Sequence, residues 1–179
     1  MSSYRFSIET DRLLLREMRE EDALAFYQLN ADPEVLKYTG DDSFEDVEQA
    51  REFLQNYPQI SYLKDGYGRW TCVLKSSNEI IGWCGLRKQD TGETDLGYRF
   101  HQRFWGQGFA TESSIKSLQI GFNELGLDRI IARAADENLA SIRVIQKMGM
   151  RFLKNEELHG QASSIYELFK YDWKLKYRG

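Results

Sequence analysis

Cysteine and histidine, the residues that most often build metal centres and nucleophiles, are scarce in this 179-residue chain, with two of each. Cys72 and Cys84 lack CxxC spacing and have no histidine nearby, so no metal site is expected. Both fall in strand-like segments and read as buried free thiols of a cytosolic protein. His101 and His159 are far apart in the sequence and make no recognisable catalytic or metal pair. Basic runs are missing as well: no Lys/Arg block exceeds a pair, and the formal net charge is −4. That balance argues against a nucleic-acid partner; it suits a cationic substrate, but it equally suits plain solubility. No run of 18 apolar residues occurs, and the opening MSSYRFSIETDR holds no stretch suited to a signal peptide. A cytoplasmic protein with no membrane partner is therefore expected. No repeat, low-complexity tract or Pro/Gly/Ser linker divides the chain, so residues 1–179 read as one domain.

What is present is patterned. RLLLREM (12–18) is β-like. In REEDALAFYQLNADPEV, acids precede Ala23, Phe26, Tyr27 and Leu29 at helical spacing, and Pro33 limits the helix. SFEDVEQAREFLQNY starts like a capping box, with Ser43 three residues before Asp46. GRWTCVLKS (68–76) and EIIGWCGLRKQ (79–89) predict a hairpin with a tight turn at Ser77-Asn78. ETDLGYRFH (93–101) alternates, with Leu96, Tyr98 and Phe100 on one face and Asp95, Gly97 and Arg99 on the other. Ile115, Leu118, Phe122 and Leu125 then predict an amphipathic helix stopped at Gly126. DRIIARA predicts a strand, Asn138 the N-cap of the next helix, and Gly149 its C′ residue. The tail SIYELFKYDW alternates and is expected to close the sheet. Hairpins beside strand–helix–strand crossovers imply an α/β (α+β) domain. Its sheet should be mixed, mostly antiparallel and of about seven strands, with helices on both faces.

The segment RFWGQGFATES (103–113) places Gly106 and Gly108 between a strand and a helix. The first N–H groups of that helix lack intrahelical partners, and glycine lets an anion approach the backbone closely, so the turn suits a phosphate or pyrophosphate. A dinucleotide fingerprint is excluded because Thr111 stands where its third glycine belongs, and no Walker G-K-[ST] follows. Spacing alone leaves an anion site and an ordinary turn equally open.

The ordered set ETDRLLLREM, EED, DPEV, LGYRFHQRFWGQGFATES and ENLASIRVIQKMGM resembles the GCN5-related N-acetyltransferase (GNAT) superfamily, and within it the RimJ/RimL-like branch of ribosomal-protein N-acetyltransferases. The resemblance runs over roughly residues 8 to 175. It implies acetyl-CoA as co-substrate, with its pyrophosphate on a [Q/R]-x-x-G-x-[G/A] turn. Two registers fit: Arg103, Gly106 and Gly108, or Trp105 in place of the Gln/Arg with Gly108 and Ala110. The second puts the small residues at the helix start, where the free N–H groups are. The resemblance then places Gly106, Gln107, Gly108, Phe109, Ala110 and Thr111 around the pyrophosphate, and Tyr98, Arg99 and Phe100 beside the pantetheine arm. Asn138 would contact the pantetheine amides while also capping its helix. Arg103 would be either a nearby positive charge or a solvated loop residue.

Acetyl transfer needs a neutral amine, stabilisation of the oxyanion and a proton for the leaving thiolate. By resemblance, a backbone N–H near Phe100 meets the acetyl carbonyl. Many superfamily members protonate the thiolate with a Tyr seven residues after the Asn, but this chain has Ile145 there. Ser141 matches the serine of the RimL-like pattern and is the candidate catalytic residue, against the alternative of an ordinary first-turn serine. Glu93, Asp95 and Glu112 are acids in range, and none is singled out as the base. The implied function is transfer to a primary amine (a protein N-terminus, a polyamine or a small amine) by direct attack in a ternary complex. The alternative is a catalytically degenerate acyl-CoA-binding or sensor protein. A homodimer is left open.

Overall fold

A computed structural model describes residues 7–177; the first part of the opening stretch examined for a signal peptide lies outside them. Eight strands form one sheet in the order β1-β2-β3-β4-β5-β6-β8-β7. The first five run β1 (Ser7–Glu9), β2 (Leu13–Glu17), β3 (Arg69–Leu74), β4 (Glu79–Lys88) and β5 (Thr94–Phe100), each antiparallel to the next. Then β6 (Arg129–Ala135) lies parallel to β5, and β8 (Gln161–Phe169) separates it from β7 (Arg151–Leu158). The strand β1 adds one to the seven read from the sequence. It is only three residues long and carries too short an alternation to be seen.

Alternation decides what each face of the sheet meets. Arg16 pairs with Thr71, Thr71 with Trp83 and Trp83 with Arg99, so these side chains share one face. Helix α1 (Ala23–Ala31) covers part of it: the Thr71 hydroxyl donates to Asp22 at 2.9 Å, just before α1, and Arg99 reaches Asn30 within it. The short helix α2 (Pro33–Leu36) follows, then α3 (Val47–Ile60) and α4 (Tyr62–Asp65). On the other face, Cys84 meets Ser114 and Ser117 of α5 (Phe109–Asn123), with sulfur–oxygen distances of 3.6 and 3.5 Å. Small residues on α5 let it sit close to β4. Helix α6 (Leu139–Lys147) lies on this face too, because Tyr98 of β5 bonds to Ser141.

Three local expectations are corrected. The cap of α3 is Asp46, whose carboxylate accepts the Gln49 N–H at 2.8 Å, and not Ser43. The β3–β4 loop spans four residues, 75–78, with Leu74 paired to Glu79 and Asn78 at φ 57°, a left-handed conformation that Asn tolerates. Helix α5, by contrast, ends as expected: its regular turns run to Asn123 and Gly126 reverses the chain at φ 70°. The tail does not remain a strand: Lys170–Lys176 is a helix, α7, which buries Trp173 against Phe122. Its period-2 pattern ran out at Phe169, and the aromatic packing favoured a helical turn. The strand β8 also lies inside the sheet, second from its edge, because His159 and Gly160 turn back at φ 52° and 74° to add β7 outside it.

One feature of the sheet positions everything else. The strands β5 and β6 are paired at a single position, Asp95 with Ile131. Beyond it they part, and a wedge opens between Gly97–Phe100 and Arg133–Ala135.

Candidate active site

The wedge is the floor of a cleft of about 840 Å³ that reaches both faces of the sheet. Its backbone edge is polar. His101 donates its N–H to the Ile81 carbonyl at 3.0 Å, so in an antiparallel ladder the preceding residue, Phe100, turns its own N–H and C=O away from β4 and towards the wedge. The Phe100 carbonyl there accepts the indole N–H of Trp105 at 2.7 Å. Backbone groups on an unpaired edge need partners, so the wedge is suited to a ligand that carries amides.

At the mouth of the wedge the chain turns through Gly106 (φ 73°) and Gly108 (φ 86°) into α5. The first intrahelical bond is Glu112 N–H to the Gly108 carbonyl, at 3.0 Å. The N–H groups of Phe109, Ala110 and Thr111 therefore precede the ladder at the positive end of the helix dipole, and Gly108 supplies no side-chain cap. This turn is fixed from β2. The Arg12 guanidinium donates to the Gln107 carbonyl (2.9 Å) and to Glu112 (2.7 Å), and lies over the Phe109 ring at 4.2 Å. Glu112 further accepts the Thr10 hydroxyl (2.6 Å) and the Arg12 N–H (2.9 Å). Burial pushes the Glu112 carboxyl up, but these donors outweigh it and hold the carboxyl below its ordinary value. Arg12 was not expected at this site. Its sequence signal, one arginine before an apolar strand, is too common to read.

The sequence-expected residues divide. Tyr98, Arg99, Phe100, Gly106, Ala110, Asn138 and Ser141 line the cleft, as do Trp105 and Ile145. Gln107, Gly108, Phe109 and Thr111 lie in the turn and first helical residues without lining it. The Gln107 amide folds back to the Arg103 carbonyl at 2.8 Å, and the Phe109 side chain is buried edge-on against Phe104. Arg103 is ion-paired to Glu79 and does not line the cleft, whereas Trp105 does. Arg99 lies on the opposite face from Tyr98 and Phe100 and is tied to Asn30 and Asp41.

Asn138 caps α6, its side-chain oxygen accepting the Ser141 N–H at 3.1 Å. That leaves the Ser141 hydroxyl free to meet Tyr98: their oxygens are 2.6 Å apart, and the Tyr98 hydroxyl is 3.2 Å from the Ser141 carbonyl. Burial raises the Tyr98 phenol well above its ordinary value, against the pull of Ser141, so it stays a neutral donor. Ile145 is buried, so α6 offers no phenol of its own; one reaches the helix from β5 instead. The sequence placed Tyr98 on the correct face but gave no sign that its hydroxyl would end on Ser141.

The three acids in range are all engaged. Glu93 pairs with Arg129 at 3.0 Å and Arg133 at 3.7 Å. Asp95 lies between Arg133 (3.4 Å) and Arg69 (3.7 Å), its carboxyl raised by burial against the pull of those arginines. Glu112 holds the turn. Among the described residues no cluster of His, Cys, Asp or Glu could hold a metal ion, and no helix is long and apolar enough to cross a membrane.

Among the described residues the sheet thus splits at its one parallel pair, with a glycine turn opening a helix beside the split. Residues 12–151 match the acetyltransferase (GNAT) domain family, and the chain belongs to it. It is 37% identical over 166 residues to the uncharacterized N-acetyltransferase p20 of Bacillus licheniformis, covering 89% of this chain and 93% of the relative. It is 29% identical over 160 residues to the FsC-acetyl coenzyme A-N(2)-transacetylase of Aspergillus fumigatus, covering 80% of this chain and 64% of that one. The crystal structure of a GNAT-family acetyltransferase from Bacillus anthracis superposes with a TM-score of 0.79 at 26% identity, covering 93% of this chain and 99% of the other. The protein is an acetyltransferase.

Proposed function

We propose that this acetyltransferase moves an acetyl group from acetyl-CoA to a primary amine by direct attack in a ternary complex, in the manner of the RimJ/RimL-like branch. The observation that carries the reading is the wedge between β5 and β6, with the α5 N-terminus at its mouth. The free N–H groups of α5 suit the pyrophosphate, and the unpaired edge of β5 suits the amides of the pantetheine arm. The Aspergillus relative's name, a transacetylase from acetyl coenzyme A to nitrogen, agrees with this donor and this kind of acceptor.

The thioester supplies an activated acyl group, and the residues of this chain do the rest. The Phe100 N–H, turned into the wedge, donates to the acetyl carbonyl oxygen as negative charge develops there. When the Tyr98 proton lies on the Ser141 hydroxyl oxygen, one of the two directions open to that bond, the Ser141 proton is left for the departing sulfur. Both cysteines are buried, Cys84 against α5, and their thiols are pushed up by burial, so neither carries an acyl group. The engaged acids leave no strong base. A protein N-terminus of pKa ~7.7–8.0 is short of the neutral form by only about 1 kcal/mol at pH 7, whereas a lysine-like amine of pKa ~10.4 is short by ~4.6 kcal/mol. Water can take the proton from the first kind, whereas the second kind reacts through its small neutral fraction, which grows tenfold per pH unit. We place the protein in the cytoplasm, as a single domain over residues 1–179; a homodimer is compatible with this reading.

Titration calorimetry with acetyl-CoA, run beside CoA release on a panel of amines, tests the proposal. Tight binding with release on at least one amine class is the expected result. Binding without release on any amine would favour the acyl-CoA sensor instead.

A further inference from the structure

Four arginines line the cleft on the face of the sheet away from α5 and α6, Arg129 shares that face of β6 without lining it, and the five are not equivalent. Arg133 is saturated by Glu156 at 2.9 Å, Asp95 at 3.4 Å and Glu93 at 3.7 Å. Arg129 is held by Glu93 and Glu167, and Arg99 by Asn30 and Asp41. Arg69 differs. It lines the cleft, its side chain is about one-fifth exposed, and its only carboxylate partner among the described residues, Asp95, lies 3.7 Å away, beyond a hydrogen bond. Its Nε is buried and has no hydrogen-bond partner among the described residues.

Arg69 is nevertheless held in place. Its guanidinium lies 4.4 Å from the Trp83 ring centre, and a Cβ built on Gly97 would come within 2.9 Å of its Nη2. An aromatic face and a bare stretch of β5 thus hold the fork, while its Nε stays without a hydrogen bond among the described residues and Asp95 stands at ion-pair distance only. Arg87, which pairs in register with Asp95, lines the same cleft and has no ion pair among the described residues. A preorganised guanidinium of this kind matches a carboxylate through two parallel bonds. Asp95 nearby offsets part of the positive charge, which favours a singly charged guest over a doubly charged one.

We propose that Arg69, with Trp83 and Arg87, forms an anion subsite for the acceptor, and that the acceptor is a primary amine carrying a carboxylate. The inference rests on the acetyl-transfer reading only for where the amine must go, which is beside Phe100. Gly97, under the Arg69 fork, is three residues from Phe100, about 10 Å along an extended strand. Allowing for the reach of the hydrogen bonds, amine and carboxylate are roughly 7–10 Å apart. That spacing excludes a free α-amino acid using its α-amine, and fits an amine several carbons from its acid group.

The test compares 6-aminohexanoate, hexylamine and glycine. Binding to the CoA-saturated protein is measured by calorimetry, and kcat/KM at pH 9. The wild-type protein is expected to favour 6-aminohexanoate over hexylamine by about 10- to 100-fold, with no comparable gain for glycine. Arg69→Gln should bring that ratio close to one, and Arg69→Lys should keep part of it. An acetyl-CoA titration of each variant checks folding, because that ligand binds the opposite face. Equal use of the two long amines by the wild type, or a preference that survives in Arg69→Gln, would overturn the subsite. Arg69-dependent binding of 6-aminohexanoate without turnover of any amine would sink the transfer reading and leave the subsite standing.

Discussion

At the scale of single residues, the Ser141–Tyr98 pair makes the most testable claim. Replacing Ser141 with Ala removes a hydroxyl whose bond to sulfur strengthens as charge develops there, while the Tyr98 hydroxyl keeps the Ser141 carbonyl as acceptor. The fold should therefore lose little. A hydrogen bond to a charged group is worth about 1.5–3 kcal/mol, so kcat and kcat/KM should fall together by about 10- to 150-fold, with acetyl-CoA affinity nearly unchanged. Steady-state kinetics with calorimetry on the same preparation reads both quantities. A lower melting temperature with normal turnover would reduce Ser141 to a helix-start residue. Half of this pair was legible beforehand. The resemblance to the RimL-like pattern identified Ser141, three residues after Asn138, as a residue to watch, whereas Tyr98 lies 43 positions away and meets it only across the interface of β5 and α6.

Among the elements, the start of α5 depends on a residue that can reverse the chain. Gly108 at φ 86° is in the left-handed region, which a β-branched residue occupies at a cost of roughly 1–2 kcal/mol. An added Cβ would make only an ordinary contact with the Arg12 guanidinium, at 3.4 Å, so the cost comes from the backbone conformation. Gly108→Val should lower the melting temperature by about 2–8 °C and weaken acetyl-CoA binding by well over tenfold. Wild-type affinity in a folded Gly108→Val protein would make the turn ordinary punctuation. The clamp of Arg12 and Glu112 on this turn predicts a pH effect. Glu112 has a folded pKa below its unfolded one, so its contribution to stability is present above the unfolded value of about 4.3 and is lost as pH falls through the folded value. Melting curves should therefore show Glu112→Gln less stable than wild type at pH 7, with the gap closing below about pH 4. A gap that stays constant down to pH 3 would show that Glu112 does not act through its charge.

For the whole molecule, the wedge brings together β5, β6, α5 and α6, so a ligand seated in it ties several elements at once. Acetyl-CoA at 100 times its dissociation constant adds ~2.7 kcal/mol, which for a chain of this length corresponds to roughly 5–10 °C in melting temperature. NAD at the same concentration should shift it much less, because the turn lacks a dinucleotide fingerprint. Equal shifts in a thermal melt would undo the assignment of the cofactor.

The sequence by itself determined the period of most elements, the glycine turn and the Asn138 cap, because each of these is a local preference written in neighbouring residues. It also carried the family resemblance, since the motifs follow one another in order along the chain. Only the tertiary structure decided what depends on contacts between distant segments. It parted β5 from β6 after one paired position, inserted β8 inside the sheet and turned the tail helical after Phe169. It also brought Arg12 to the α5 turn, set Tyr98 on Ser141 and left Arg69 stacked on Trp83 with Asp95 3.7 Å away. No local pattern encodes these outcomes. Each is settled by which partners compete for a strand edge, a ring face or a charge once the sheet has formed.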